Sequence, residues 1–164
     1  MNALKNKTIA IVGYGQRGRA HALGLHRAGH RVVVGLPAGA SARVEVCGDR
    51  LDVLTVEHAV SIAQVVAMHV SPEEHDQLYM RAVHEHLNPG AYLGFDRGIS
   101  LHRGSVVPPA SVNVFYIEPQ GEAAMTIAVH QDPKGDTRSI ALAYAAGTEA
   151  GRAAEHEDMM FRVC

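Results

Sequence analysis

The feature that most constrains this chain is the run Gly13-Tyr14-Gly15-Gln16-Arg17-Gly18, which follows directly on the apolar stretch Thr8-Ile9-Ala10-Ile11-Val12. It reads as strand, tight glycine turn and helix start, in that order. In that setting G-x-G-x-x-G points to a dinucleotide-binding turn. The first glycine permits the sharp bend, the second lets backbone approach a pyrophosphate, and the third lets helix pack closely on strand. The helix N-terminus presents unpaired N–H groups and positive dipole to the phosphates. A plain strand–turn–helix corner is the structural alternative.

The rest of the chain agrees with one α/β domain spanning residues 1–164. Its 47% hydrophobic content suffices for a core without covalent staples. Short β-branched runs alternate with helical patterns, which predicts a doubly wound, mostly parallel, Rossmann-like sheet with helices on both faces. Six strands are expected: Thr8–Val12, Arg31–Gly35, Val65–Val70, Tyr92–Phe95, Val112–Ile117 and Met125–His130. Helices are expected over Gln16–Ala28, over Thr55–Ala63 with Thr55 as cap, from Ser71-Pro72 to about Leu87, and from about Asp136 to Ala146. Residues 37–41 read as a loop, Cys47 falls in a loop-like stretch, and the tail beyond Gly147 has no clear pattern. In such sheets ligands lie beyond the carboxyl ends of the strands where strand order reverses. That rule gathers Gly13–Gly18, Gly35–Arg43, His69–His75, Asp96–Arg97, Glu118–Gln120 and His130–Gln131 on one rim.

Composition narrows the function classes. A formal net charge of −2 and the lack of a basic run argue against nucleic-acid binding. No stretch approaches the roughly 18 apolar residues of a membrane span. Two cysteines, Cys47 and Cys164, argue against a disulfide framework, so a cytoplasmic location is expected. Among the eleven histidines, neither His26/His30 nor His84/His86 has metal-type spacing with a partner carboxylate or cysteine, so no metal is expected.

Several further blocks stand out: Gly13-Tyr14-Gly15 with Ala20-His21-Ala22-Leu23, Val34-Gly35-Leu36, Leu87-Asn88-Pro89-Gly90-Ala91, Val106-Val107-Pro108-Pro109-Ala110, Ala128-Val129-His130-Gln131-Asp132 and Ala141-Leu142-Ala143-Tyr144-Ala145. Together they resemble the N-terminal, NAD(P)-binding domain of ketol-acid reductoisomerase. The resemblance implies a diphosphate cradle at Gly13, Tyr14, Gly15, Gln16, Arg17 and Gly18, with help from the Pro72–His75 turn through Glu73 and His75. It also exposes departures. Arg97 stands before Gly98 where the family has its catalytic histidine, and Pro119-Gln120-Gly121 replaces the family's Pro-Lys-Gly. The family's metal-binding carboxylates belong to a C-terminal helical domain with no counterpart in these 164 residues. Pro37, Ala40 and Ala42 occupy positions that bind the 2′-phosphate of NADPH in the family. Ser41 and Arg43 are nearby substitutes, and no acid ends the second strand, so NADP and NAD both stay open as cofactor.

Four residues are the candidates for catalysis. His69, at a strand end, is a general acid or a packed histidine. Arg97 clamps a substrate carboxylate or phosphate, or pairs with Asp96. Asp96 is an acid–base group or that partner. Glu118 is a proton donor at a buried rim or a solvated loop acid. The leading expectation is an NAD(P)-dependent oxidoreductase for a small polar substrate, without isomerisation, in a homodimer or larger assembly whose second subunit completes the pocket. The alternative is a non-redox nicotinamide-nucleotide binder, or an enzyme whose substrate derives from such a nucleotide.

Overall fold

The computed structural model describes residues 3–96, 101, 103–120 and 124–148. Seven strands form one sheet in the order β3-β2-β1-β4-β5-β6-β7. They are β1 (Thr8–Val12), β2 (Arg31–Gly35), β3 (Asp52–Leu54), β4 (Val65–Met68), β5 (Tyr92–Phe95), β6 (Asn113–Gln120) and β7 (Ala124–Gln131). All neighbours pair in parallel except β6 and β7. Strand order reverses between β1 and β4, so the crevice lies there.

The helices are α1 (Gln16–Arg27), α2 (Arg43–Gly48), α3 (Val56–Ile62), α4 (Pro72–Leu78) and α5 (residues 137–148). β1, β4 and β5 are buried on both faces, which is why they read as continuous apolar runs rather than alternating ones. Ile9, Ile11, Val65, Ala67 and Tyr92 join α1, α2 and α5 in one core, with Leu25, Val46 and Tyr144. Ala10, Val12, Val66, Met68, Leu93 and Phe95 join α3 and α4 in the other, with Val60 and Leu78. This is the doubly wound sandwich expected.

Three local expectations need correction. A seventh strand, β3, exists; three residues with a leading aspartate are too short to show alternation. Cys47 lies in α2, a six-residue helix that follows a loop of small residues. The helix after β4 ends its α geometry at Leu78, passes through a π turn at Tyr79–Val83 and finishes as a 3₁₀ turn at His84–His86. Thr55 does cap α3, accepting from His58 N at 3.3 Å.

Two close approaches set the geometry of the crevice. Gly13 has φ +96°, and a Cβ there would lie 2.2 Å from the His69 carbonyl oxygen. Without that atom the turn leaves β1 against the end of β4, where His69 N donates to Val12 O at 2.7 Å. On α1, a Cβ at Gly24 would lie 3.0 Å from the Thr148 carbonyl oxygen. The missing side chain lets α5 settle directly on α1. The start of α5 is tied to the sheet by Tyr92, whose hydroxyl donates to the Asp136 carboxylate at 2.8 and 2.9 Å. Gly13→Ala combines strain with overlap, so it should lower the unfolding free energy by about 2–4 kcal/mol. Urea denaturation followed by far-ultraviolet dichroism checks this.

Candidate functional site

A cleft of about 830 Å³ opens at the carboxyl ends of β1, β2 and β4. Its walls include Gly13, Tyr14, Gly15, Gly35, Ala40 and His69. A Cβ on Gly15 would meet nothing within 4 Å, so this glycine is exposed backbone facing space. That is the opening a pyrophosphate needs above a helix N-terminus. Tyr14 stiffens the turn: its hydroxyl donates to Asp49 Oδ2 at 2.6 Å. Arg19 grips the same carboxylate through Nε at 2.8 Å and Nη2 at 3.0 Å. The Arg19 fork holds the Asp49 carboxyl below the usual carboxylate range, helped by the Tyr14 hydroxyl and opposed by burial. Burial and the Asp49 carboxylate push the Tyr14 phenol well up.

The structure distributes the remaining expected cofactor residues unevenly. Gln16 is exposed beside Gly15, while Gly18 is buried against the Gly13 carbonyl. Arg17 turns to Asp96, with Nη2 3.0 Å from Oδ1. Arg43 donates from Nη1 to Leu36 O at 3.0 Å and Pro37 O at 3.4 Å, so it braces the loop after β2. Ser41, Arg43, Glu73 and His75 are not among the cleft walls; Ser71, Glu74, Gln77 and Arg81 are. His75 is buried instead, with its ring 5.1 Å from that of Phe95.

His69 and Asp96, expected separately, stand side by side. The β4–β5 register pairs Met68 with Phe95, so the next residue of each strand leaves the sheet together on the α1/α5 face. His69 Nδ1 lies 3.0 Å from Asp96 Oδ1. Neither atom meets the full geometry of a hydrogen bond at that separation, so the contact is an electrostatic one. Burial pushes the Asp96 carboxyl up, but His69, Arg17 and His21 together outweigh it and hold the group below its ordinary range.

Two residues of this cluster were not among the expected site residues. Tyr144 of α5 sets its hydroxyl 2.9 Å from His69 Nε2 and 2.9 Å from His21 Nδ1 of α1. The two imidazole rings meet edge to face, 4.5 Å between centroids. His21 and Tyr144 are 1% and 2% exposed. Each interrupts the buried stripe of its helix, His21 beside Ala22 and Leu25, Tyr144 beside Ile140 and Ala141. A polar ring in an apolar stripe was the available signal, but only the packing of α5 on α1 gives it a partner. Ligand-type atoms of His21, His69 and Asp96 lie within 4.8 Å of one another. The Arg17 guanidinium already supplies positive charge at that carboxylate.

The other expected groups fall elsewhere. Glu118 alternates out of phase with Phe115 and Ile117, which flank the His69–Tyr144 cluster, so it leaves β6 on the opposite face. Because β7 is antiparallel and pairs Gln131 with Val114, His130–Gln131 lies at the amino edge of the sheet, not on the rim. There Gln131 donates to Pro109 O and Val112 O. Arg97 lies outside the described residues.

Residues 3–154 match the model of the acetohydroxy acid isomeroreductase NADPH-binding domain. Among solved structures, an NADH-preferring ketol-acid reductoisomerase from an uncultured archean is 27% identical, with TM-score 0.83, over 92% of this chain and 51% of that one. The chain therefore spans about half the length of that enzyme. A Mycobacterium tuberculosis 3-hydroxyisobutyrate dehydrogenase (TM-score 0.64, 19% identity, 94% and 60% covered) and a Plasmodium falciparum pyrroline carboxylate reductase with NADP bound (0.69, 13%, 89% and 56%) share the fold.

A depressed carboxylate stabilises the fold above its ordinary pKa of about 3.9 and loses that contribution as pH falls through its folded value. Asp96→Asn should therefore cost about 1–2 kcal/mol near neutral pH, and the gap to the parent protein should close in acid. Denaturant titrations across the acid range read the difference directly.

Proposed function

Because the chain belongs to the acetohydroxy acid isomeroreductase family through its NADPH-binding domain, we propose that it is an NAD(P)-dependent oxidoreductase that acts on a small polar substrate without metal-dependent isomerisation. The observation that carries this reading is the open Gly15 backbone facing a cleft that ends at His69. The amides of the Gly13–Gly18 turn would hold the diphosphate, and the Pro37–Ala40 loop would flank the adenosine ribose. A bound nicotinamide would exchange hydride with the substrate. The chain's own part is then the proton and the orientation, for which Asp96, His69 and Arg17 stand at the rim. Arg97 follows Asp96 in sequence and is proposed as a clamp on a substrate carboxylate or phosphate. Glu118, on the other face of its strand, has the weaker claim.

The absence of isomerisation is argued from sequence. Arg97 and Gln120 stand where the family carries histidine and lysine, so its proton handling cannot be repeated with these side chains. Those same replacements favour a second reading, nucleotide binding without redox chemistry. Among the described residues no helix is long and apolar enough to cross a membrane. A dinucleotide cleft with one open side needs a second wall, so we propose a homodimer or larger assembly; few cysteines fit a cytoplasmic setting.

Calorimetric titration with NADPH, NADH, NADP and NAD tests the reading. Selective binding of one reduced form is expected. Gly15→Asp has room for its side chain and should fold normally, yet lose at least about 30-fold in affinity by placing a carboxylate where phosphate sits. Preference for an oxidised form or a mononucleotide would favour the non-redox reading. No binding to any of the four would overturn both.

A further inference from the structure

The hydrogen-bond stoichiometry around Tyr144 carries an inference that rests on the reading of this rim as the substrate side of the site. A phenol hydroxyl has one proton. It touches one nitrogen of each of two imidazoles, at 2.9 Å in both cases, so it donates to one ring and accepts from the other. Which way it points is fixed at the far end of the chain. Asp96 Oδ1 is shared by the Arg17 guanidinium and His69 Nδ1, each 3.0 Å away. A carboxylate paired with arginine is ionised, and a ring lone pair facing it at that distance would be repelled. His69 Nδ1 therefore carries the proton. In the neutral ring Nε2 is then a lone pair, which accepts from the Tyr144 O–H. The Tyr144 oxygen in turn accepts from His21 Nδ1–H.

We propose that Tyr144, with His21 behind it, is a positioning residue that holds His69 as the Nδ1–H tautomer, keeps Asp96 a carboxylate, and so makes this rim an acceptor for a hydroxyl or amine of the substrate. Protonating His69 would turn Nε2–H toward a hydroxyl that already accepts from His21, leaving the Tyr144 O–H without its acceptor in a site that is 2% exposed. Such an orphaned buried donor is costly. Among the described residues, the charged and titratable groups facing His69 from the surrounding elements are Arg17 and His21 on α1, Asp96 after β5 and Tyr144 on α5. The part that meets solvent is the carboxylate, whose side chain is 22% exposed against 4% for His69. Among the described residues both of its close contacts are on Oδ1, which leaves Oδ2 as the acceptor on the rim. A hydroxyl or ammonium group docked there donates a hydrogen bond to Oδ2.

The test uses the nucleotide-free protein and needs no substrate. Long-range ¹H–¹⁵N correlation spectra of the unmodified chain near neutral pH report the ring protonation of each histidine. The expected result is Nδ1–H for both His69 and His21, with a carboxylate ¹³C shift for Asp96. An Nε2–H signal for either ring, or an imidazolium signal for His69, overturns the proposal. Tyr144→Phe keeps the ring packing and removes only the hydroxyl. His69 signals should then average between the two tautomers while His21 loses its fixed Nδ1–H; an unchanged His69 spectrum in the folded variant overturns the positioning role. Stoichiometric Co²⁺ uptake with ligand-field absorption would also overturn it, because His21, His69 and Asp96 would then be metal ligands. Failure of nucleotide binding would instead sink the oxidoreductase reading and leave these spectra unaltered.

Discussion

The approach of Gly13 to the His69 carbonyl fixes the position of everything else on this rim. The chain must turn sharply where the backbone of the neighbouring strand lies within contact distance, and only a residue without Cβ fits. That contact sets where α1 begins, and hence where Arg17 and His21 lie. It also brings the end of β4 into the crevice with His69 at its tip. The β4–β5 register then carries Asp96 to the same height. Glycine turn and polar cluster are thus two sides of one close packing, not independent features.

The polar cluster gains its character from burial. In water, an aspartate, two histidines and a tyrosine would each hydrogen-bond to solvent and act separately. Packed between α1, α5 and the sheet, they have mainly one another, and the single proton of a hydroxyl imposes a direction on the chain. Arg17 belongs to the glycine turn and also pairs with Asp96.

Much of this was legible in the sequence. Glycine spacing after an apolar run gave the turn, and β-branched runs buried on both faces gave the parallel strands. Cap chemistry gave the start of α3. What escaped was what periodicity does not encode. β3 is too short to alternate, and α2 follows small residues that read as loop. His130–Gln131 moved to the far edge because strand direction in the last hairpin is a tertiary property. His69 and Asp96 were visible as strand-end residues. Their contact with His21 and Tyr144 was not, because it depends on the seat of α5 at Gly24, which brings residues 21 and 144 together across the chain.

The central claim is that the Gly13–Gly18 turn seats a dinucleotide whose nicotinamide end reaches Asp96 and His69. A crystal structure of the chain soaked with NADPH tests it most directly. The account predicts diphosphate density on the amides following Gly15 and the nicotinamide ring against Asp96. Density in a second cleft, about 550 Å³ between Lys5, Lys7, His30 and Arg31 at the amino ends of the strands, would contradict it. So would a nicotinamide ring pointing away from β5.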